Sequence, residues 1–341
     1  MSEFRIDQIK NQDATGGPNV AGITTFTGTS GIVMPSGITA YRGGRGRGLL
    51  SGGYSPGHIR SIDVLNIANL GNSSQFGSDP TPGMQMGANS STTRVVFGGG
   101  STPSPTKCRY VEIAHTGDAR EYADLTTNRR GTGCHSNGVR GFFGGGAPAG
   151  NESIIDYVNI ATIADAIRFG DLSLGRRQGA ALGSTTRGVF TGGYLLASPY
   201  LRYNVIDYIT MSTEGNAIDF GDLTGIKGAI GAGSNATRGF VAGGSTANST
   251  TNTNTIDYLT ITSTGNALDF GDLSVTLHNT GVCPNQTRAV FAGGYSGPAS
   301  TNVISYVEIS SQSDSIDFGD LSVSRCIGND GGASDSHGGL G

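Results

Sequence analysis

The stretch TRGVFTGGYLLASPYLRYNVIDYITMSTEGNAIDFGDL, residues 186–223, is one copy of a unit that recurs along the chain. It opens with an Arg, a short apolar run and Gly-Gly, and two further apolar segments follow. The same opening occurs six times: RGLLSGG at 47, RVVFGGG at 94, RGFFGGG at 140, RGVFTGG at 187, RGFVAGG at 238 and RAVFAGG at 288. A repeat of roughly 50 residues is typical of the blades of a β-propeller. The spacing therefore predicts an all-β, six-bladed propeller.

The spacing inside each copy is nearly constant. The second apolar segment has a central residue in a fixed column: Val64, Tyr110, Tyr157, Tyr208, Tyr258 and Tyr306. An aromatic residue stands 12 positions later in every copy, at Phe76, Tyr122, Phe169, Phe220, Phe270 and Phe318. The β-branched and aromatic content of both segments predicts strands. Between them, Gly, Asn and Asp mark a turn whose residues are expected to need positive φ.

A fourth, Gly-rich segment of small side chains ends each unit. Small residues fit the crowded axis of a propeller, so we place these strands innermost. The last such segment, about 326–334, follows the sixth copy and is expected to complete the blade that begins at Arg47. This arrangement would leave few exposed sheet edges. We assign residues 44–341 to the propeller and residues 1–43 to a separate N-terminal segment.

Only the stretch after Gly-Gly varies in length between copies, and strand alternation places all six of these loops on one face. Loops on a rigid scaffold commonly carry binding residues. The loop at 194–204 is the strongest candidate, with large side chains at Tyr194, Leu195, Leu196, Tyr200 and Tyr203. These aromatics serve either ligand contacts or the capping of the blade or a neighbouring subunit. The next loop, STANSTTNTNT at 245, is polar and suits hydrogen bonding to sugars or simple solvation.

Composition and charge exclude several classes of function. The net charge is −4 without clustered Lys and Arg, which argues against a nucleic-acid partner. No leader with a charged and then apolar pattern is present, and no apolar run approaches the roughly 20 residues of a membrane helix, so we expect no membrane insertion. The four cysteines share neither a close spacing nor a repeat column, which predicts neither a metal site nor a disulfide framework.

Two repeated features have both a functional and a structural interpretation. The Arg that opens each unit, at 47, 94, 140, 187, 238 and 288, forms either a ring for an acidic ligand or a blade-stabilising contact. A residue needed in every blade favours the structural role for Arg94, Arg140, Arg187, Arg238 and Arg288. Asp-Phe-Gly at 219, 269 and 317 resembles the kinase triplet but lacks that family's other motifs. We interpret Phe169, Phe220, Phe270 and Phe318 as core.

The histidines do not form a catalytic or metal-binding pattern. His58, His115, His135, His278 and His337 fall in different columns without metal-like spacing, so isolated surface or turn positions are expected. We therefore predict a protein without catalytic, cofactor-binding or metal-ligating residues.

An apolar run ending in Gly-Gly, followed by two aromatics 12 residues apart, resembles the kelch motif of the galactose-oxidase central domain. The resemblance covers residues 47–341. The second aromatic is Phe or Tyr and never the usual Trp, so the chain would be a divergent, kelch-like member. A copper site of the galactose-oxidase kind needs two His, a Tyr and a Tyr–Cys crosslink, and the sequence does not supply this set.

The phrases TRGVFTGG and IDYITM…TEGNAIDFGDL resemble virion structural proteins of tailed bacteriophages, especially marine cyanophages, and residues 11–37 resemble the N-terminal leader of their tail-fibre-like and appendage proteins. The resemblance implies a non-enzymatic virion component of the tail or a capsid appendage, present in multiple copies and assembled in the host cytoplasm. It also implies attachment to other virion proteins through residues 1–43, with the loop face contacting a host-surface glycan or protein.

Three alternatives remain at this stage. Residues 1–43 are rich in Gly, Thr and Ser and cannot form their own core, so they are either a disordered tail or an extended docking arm. The propeller is also compatible with a free adaptor or a carbohydrate-binding module. An oxidase or hydrolase on the same scaffold ranks last, because the fold alone confers no chemistry.

Overall fold

The computed structural model describes residues 46–81, 83–101, 106–147, 153–195, 201–247, 251–328 and 330–340. The N-terminal arm predicted at 1–43 lies outside these residues. Within them, six four-stranded antiparallel sheets form a six-bladed propeller, which confirms the predicted architecture.

Each main sheet is one blade, and the strands are numbered along the chain. Blade 1 begins with β1 (Arg47–Ser51), β2 (Ser61–Asn66) and β3 (Ser74–Ser78). Blade 2 comprises β4 (Gly87–Ser90), β5 (Arg94–Gly98), β6 (Lys107–Glu112) and β7 (Arg120–Asp124). Blade 3 comprises β8 (Gly133–Ser136), β9 (Arg140–Gly144), β10 (Ile154–Asn159) and β11 (Ile167–Asp171).

The next two blades carry an additional small hairpin. Blade 4 comprises β12 (Ala180–Gly183), β13 (Arg187–Thr191), β16 (Val205–Thr210) and β17 (Ile218–Asp222), with the hairpin β14 (Tyr194–Leu195) and β15 (Leu201–Arg202) between β13 and β16. Blade 5 comprises β18 (Gly231–Ser234), β19 (Arg238–Ala242), β22 (Thr255–Thr260) and β23 (Leu268–Asp272), with the hairpin β20 (Ser245–Ala247) and β21 (Thr251–Asn252) between β19 and β22.

The sixth blade and the end of the chain complete the ring. Blade 6 comprises β24 (Gly281–Pro284), β25 (Arg288–Tyr295), β26 (Ser300–Glu308) and β27 (Ile316–Asp320), followed by β28 (Gly332–Ser334) and a short 3-10 helix, Gly338–Leu340. Strand β28 pairs antiparallel with β1 and takes the innermost position of blade 1. The backbone N–H of Arg47 also donates to Asp335 Oδ1 at 3.0 Å. Both ends of the repeat region therefore meet in one sheet.

The innermost strands are buried along their whole length in blades 2 to 6. Side-chain hydroxyls join several of them around the axis. Ser136 Oγ donates to Ser90 O at 2.7 Å, and Ser234 Oγ donates to Gly183 O at 2.7 Å. Small side chains thus allow neighbouring backbones to approach closely enough for these bonds.

The Gly-Gly pair ends the second strand in blades 1 to 5 and gives an irregular register in β25 of blade 6, because its backbone enters the left-handed region. In blade 4, Gly192 and Gly193 have φ of 52° and 100°, and the same two columns are positive in the other blades. A Cβ on Gly192 would lie 2.7 Å from Lys227 O of the following crossover. Glycine adopts these angles without steric cost, which explains the recurrence of the pair.

The repeated Arg joins each blade to the next. Its Nη1 donates to the backbone carbonyl that follows the third strand of the next blade, at 2.5 to 3.3 Å, in the pairs Arg47–Ile113, Arg94–Ile160, Arg140–Met211, Arg187–Ile261, Arg238–Ile309 and Arg288–Ile67. In blades 2 to 6 the guanidinium also lies 4.4 to 5.6 Å from the centroid of its own blade's Tyr. These contacts favour the structural interpretation of the Arg column.

The fixed spacing of 12 residues brings two aromatic rings together in blades 2 to 6, whereas blade 1 has Val64 in the first of these columns. Tyr258 and Phe270 meet edge to face with centroids 5.8 Å apart, and Tyr306 and Phe318 do so at 5.7 Å. Phe169, Phe220, Phe270 and Phe318 are each about 3 to 4% exposed and belong to the cores between blades.

Buried ion pairs cross five of the six blade interfaces. In four of them a cation in the crossover that leaves one blade meets an Asp in the third strand of the next, in the pairs Arg129–Asp156, Arg176–Asp207, Lys227–Asp257 and Arg325–Asp63. Between blades 1 and 2, Arg109 occupies the Asp column and pairs at 3.3 Å with Asp79, which lies four positions before the cation column, itself occupied by Gly83. Between blades 5 and 6 the same two columns hold the uncharged residues Leu277 and Ser305.

The turn between the third and outer strands forms hydrogen bonds with the adjacent blade. The carboxamide oxygen of Asn216 accepts a hydrogen bond from the backbone N–H of Asp171 at 3.1 Å, and Asn266 accepts one from Asp222 at 3.0 Å. Neither Asn has positive φ, so the predicted backbone role for the Asn of this turn is wrong. Its side chain instead links two blades.

Candidate functional site

The loops of variable length and the crossovers between blades lie at the same end of the sheets. Single β-bridges join the two sets, pairing Arg130 with Ala147, Arg177 with Tyr194, Gly228 with Ser245 and His278 with Tyr295. We call this end of the propeller the loop face. The bridges hold the first residue after each Gly-Gly in a defined place near the axis.

Blades 4, 5 and 6 extend the loop face with β-structure. In β14 and β15, Tyr194 pairs with Arg202 and Leu195 pairs with Leu201. In blade 6, strands β25 and β26 continue past the Gly-Gly column until Tyr295 pairs with Ser300. The sequence predicted loops here, and the structure shows short hairpins that project from three consecutive blades.

Side chains connect these hairpins across the blades. Arg202 of blade 4 donates through Nε and an Nη to Ser245 Oγ of blade 5, at 3.2 and 2.9 Å. Asn252 Nδ2 donates to Tyr295 O of blade 6 at 3.0 Å, and Asn252 Oδ1 lies 2.8 Å from Nδ1 of His278. Burial and, secondarily, the charge of Arg202 lower the pKa of His278. The three hairpins thus form one continuous rim.

The structure describes only part of the candidate loop at 194–204. Tyr194, Leu195 and Tyr203 are half-buried, and Tyr203 N donates to Gly193 O at 2.9 Å. Leu196 and Tyr200 lie outside the described residues. Leu201, which the sequence did not single out, is 48% exposed.

Two guanidinium groups lie beside the ring of Tyr194. Arg177 is 4.8 Å and Arg202 is 5.6 Å from its centroid, and Arg177 Nη2 donates to the Tyr194 hydroxyl at 2.9 Å. Sequence reasoning missed both arginines, because Arg202 has no Arg or Lys counterpart in the other blades and Arg177 has only one, Arg130. The feature that could have identified them is local, because each is a basic residue on the loop face beside a large aromatic side chain.

The axis of the propeller encloses a small cavity of about 30 Å³. Asp330 lies at one end, where its Oδ2 accepts backbone N–H groups from Cys134 at 2.7 Å and Ala181 at 2.6 Å. Burial raises the pKa of Asp330 well above its usual value. The volume suits one or two water molecules, so the axis is a packed core and not an open channel.

Two histidines meet at the other end of this cavity. His135 and His337 are buried, with ring centroids 5.5 Å apart, and His337 Nε2 lies 3.2 Å from Ser136 Oγ. Burial lowers the pKa of His135 to about 3 and that of His337 to about 4. The expectation of isolated surface or turn histidines is therefore wrong for this pair, which the chain brings together across 200 residues by closing the ring.

Comparison with protein-family models and with curated proteins finds no match to this chain.

All four cysteines are free, buried thiols. Within the described ranges, no helix has the length and apolar character needed to cross a bilayer.

Proposed function

We propose that this chain is a non-enzymatic binding protein that uses the loop face of its propeller. The observation that carries the proposal is the rim of linked hairpins on blades 4 to 6, where Tyr, Arg and Asn side chains project from an otherwise repetitive scaffold. Variable, aromatic and polar loops on a rigid frame are typical of recognition surfaces.

The repeat phrases extend the proposal to a particular setting. Their resemblance to virion structural proteins of tailed bacteriophages supports a tail component or capsid appendage. In this proposal, residues 1–43 attach the propeller to other virion proteins, and the kelch-like propeller presents the loop face to a host-surface glycan or protein.

Deletion of residues 1–43 tests the attachment. We expect a folded propeller, with unchanged melting temperature, that no longer incorporates into phage particles produced in complementation. Incorporation at the wild-type level would contradict the docking role of the arm.

A shortened hairpin tests the loop face. Replacing residues 195–201 by a two-residue Asn-Gly turn should preserve the fold, because Tyr194 and Arg202, which pair with each other, remain as the base of the hairpin, and such a turn suits a two-residue hairpin. We expect binding of the purified chain to host cells to fall about tenfold or more. A control variant, Ile163→Ser, changes an exposed side chain in the turn between β10 and β11, on the opposite face, and should bind normally.

A free carbohydrate-binding module is the second candidate. The polar loop of blade 5 and the Tyr194 ring favour it, because hydrogen-bonding groups beside an aromatic ring suit sugars. Binding of a defined glycan by a protein that never associates with particles would favour this candidate. Stoichiometric copper in the purified protein would instead indicate the galactose-oxidase-like alternative.

A further inference from the structure

The loop face of blades 4 to 6 has an unusual balance of charge. The segments that build it, 173–179, 193–204, 224–230, 244–254, 274–280 and 294–302, contain no Asp or Glu. They contain four Arg or Lys residues, of which Arg176 and Lys227 are paired with Asp207 and Asp257 below the surface. The remaining two cations are Arg177 and Arg202. A chain with net charge −4 thus presents a positive patch at this place.

Arg177 and Arg202 are held in position by neutral groups. Arg177 donates to the Tyr194 hydroxyl and Arg202 to Ser245 Oγ. Within the described residues neither forms an ion pair, and Arg177 Nε is buried without a hydrogen-bond partner. Burial lowers the pKa of Arg202, as expected for a guanidinium that has lost water without gaining a counter-ion. A half-buried cation in this condition attracts an anion.

The surroundings of the pair suit a sugar. The hairpin of blade 5 presents the exposed Thr251 beside this pair, and the half-buried Tyr203 follows Arg202 directly in the chain, so that hydroxyl groups lie on adjacent loops. A guanidinium matches a carboxylate through two parallel N–H···O bonds. The site therefore combines an anion-binding pair with a surface for the hydroxyl-rich remainder of a ligand.

We infer that Arg177 and Arg202, held beside Tyr194, bind an acidic saccharide, with a uronic-acid carboxylate at the two guanidinium groups and sugar hydroxyls facing Thr251 and Tyr203. This inference rests on the proposed function of the loop face and names its ligand class. Recognition is by charge and hydrogen bonding, so it weakens with salt.

Titration calorimetry of the full chain tests the site. The probes are trimers of galacturonate, glucuronate and mannuronate, with neutral galactotriose and inorganic phosphate for comparison. We expect at least one uronate trimer to bind at least tenfold more tightly than galactotriose and phosphate. R177A and R202A should each weaken that binding about tenfold to a hundredfold, the usual effect of losing a charged hydrogen bond.

Two controls separate charge from folding. R202K keeps the charge and should lose less affinity than R202A. R120A changes an exposed Arg on the outer strand β7 and should bind as the wild type does. The melting temperature of each variant reports whether the propeller remains folded.

The inference is overturned if no uronate trimer binds at millimolar concentration, if galactotriose or phosphate binds equally well, or if R177A and R202A bind like the wild type. The proposed function of the loop face is tested separately, by the shortened hairpin. If the shortened hairpin abolishes binding to host cells while R177A and R202A leave it intact, the loop face is the binding surface and the acidic-saccharide assignment is wrong. If the shortened hairpin binds cells normally, the loop-face function itself is wrong.

Discussion

At the scale of single residues, the blade interfaces show three solutions to one electrostatic problem. Four interfaces bury a cation against an Asp in the same two columns, one pairs Arg109 of the Asp column with Asp79 from a third position, and one uses Leu277 and Ser305. A buried charge that has lost its partner lowers the stability of the folded protein, whereas replacing both charges by uncharged residues often leaves the stability nearly unchanged. The six interfaces therefore behave as natural variants of the same pair, and they indicate which substitutions the fold tolerates.

Breaking the pair between blades 3 and 4 should separate these effects. Arg176→Leu and Asp207→Ser alone should each lower the free energy of unfolding by about 3 to 5 kcal/mol, because each leaves an unpaired buried charge. The double variant, which copies the interface between blades 5 and 6, should recover most of that loss. Urea denaturation of the four proteins measures the coupling, and additive losses would contradict the argument.

These pairs were accessible from the repeat alignment but were not predicted. Aligned copies place Arg129, Arg176, Lys227 and Arg325 in one column and Asp63, Asp156, Asp207 and Asp257 in another. Arg109 interrupts the Asp column and Gly83 interrupts the cation column, and Asp79, outside both columns, supplies the partner of Arg109. What the sequence could not specify is that the two columns face each other across different blades, since this depends on how the blades are packed.

At the scale of elements, the Phe-Gly step on the outer strands of blades 4 to 6 is required by the neighbouring turn, whereas blade 2 has Ala123 in the Gly column. Gly221 has φ of 148°, and a Cβ there would lie 2.4 Å from Gly265 O of the next blade. The backbone conformation and the close approach both exclude a side chain. This explains a phrase that superficially resembles a kinase motif.

Substitution at two nearby glycines tests this requirement. Gly221→Ala should destabilise the protein by about 1 to 3 kcal/mol, the usual cost of a strained backbone position. Gly225→Ala lies four residues away, in an exposed crossover with open space around its Cα, and should change stability by less than about 0.5 kcal/mol. Equal thermal midpoints for the two variants would refute the explanation.

The strands were predictable because each is repeated six times, so that spacing and apolar content support one another. The hairpins β14–β15 and β20–β21 were not, because each occurs once. The β20–β21 segment is rich in Ser, Thr and Asn, which commonly form loops, and the segment between β14 and β15 contains Pro199. The candidate site was limited for a similar reason: Tyr194 was identified as a large aromatic, while Arg202 has no repeated Arg or Lys counterpart and Arg177 has only one, Arg130.

At the scale of the whole molecule, the buried histidine pair on the axis predicts a dependence of stability on pH. His135 and His337 have pKa values of about 3 and 4 in the folded protein, below the ordinary value near 6.5. Their contribution is therefore fully present above about pH 6.5 and is lost as pH falls toward 4, by at most about 1.4 kcal/mol per pH unit for each histidine.

A comparison of pH profiles isolates this effect. Asp330, whose folded pKa is raised, acts in the opposite direction, since its protonation favours the folded state as pH falls. The difference between wild type and the His135→Gln, His337→Gln double variant cancels that contribution. We expect the wild type to lose more stability than the variant between pH 6.5 and 4, and parallel profiles would contradict the assignment.

Truncations of the C-terminal region test how the ring is held. Removing residues 335–341 deletes the Asp335 contact to Arg47 and the buried His337, and should lower the melting temperature while preserving the sheet signature in circular dichroism. Removing residues 332–341 also deletes β28, exposes the inner edge of β1 and should cause aggregation. Indistinguishable melting of both truncated proteins and the full chain would show that the closure contributes no stability.

The pairing of β28 with β1 also has a kinetic consequence. Because the contact between Arg47 and Asp335 spans 288 residues, blades 2 to 6 can assemble from local hairpins long before the two halves of blade 1 find each other. We therefore expect a transient, C-shaped intermediate in which β28 and β1 are not yet paired. At this unpaired edge two molecules could exchange their terminal strands and form a domain-swapped dimer.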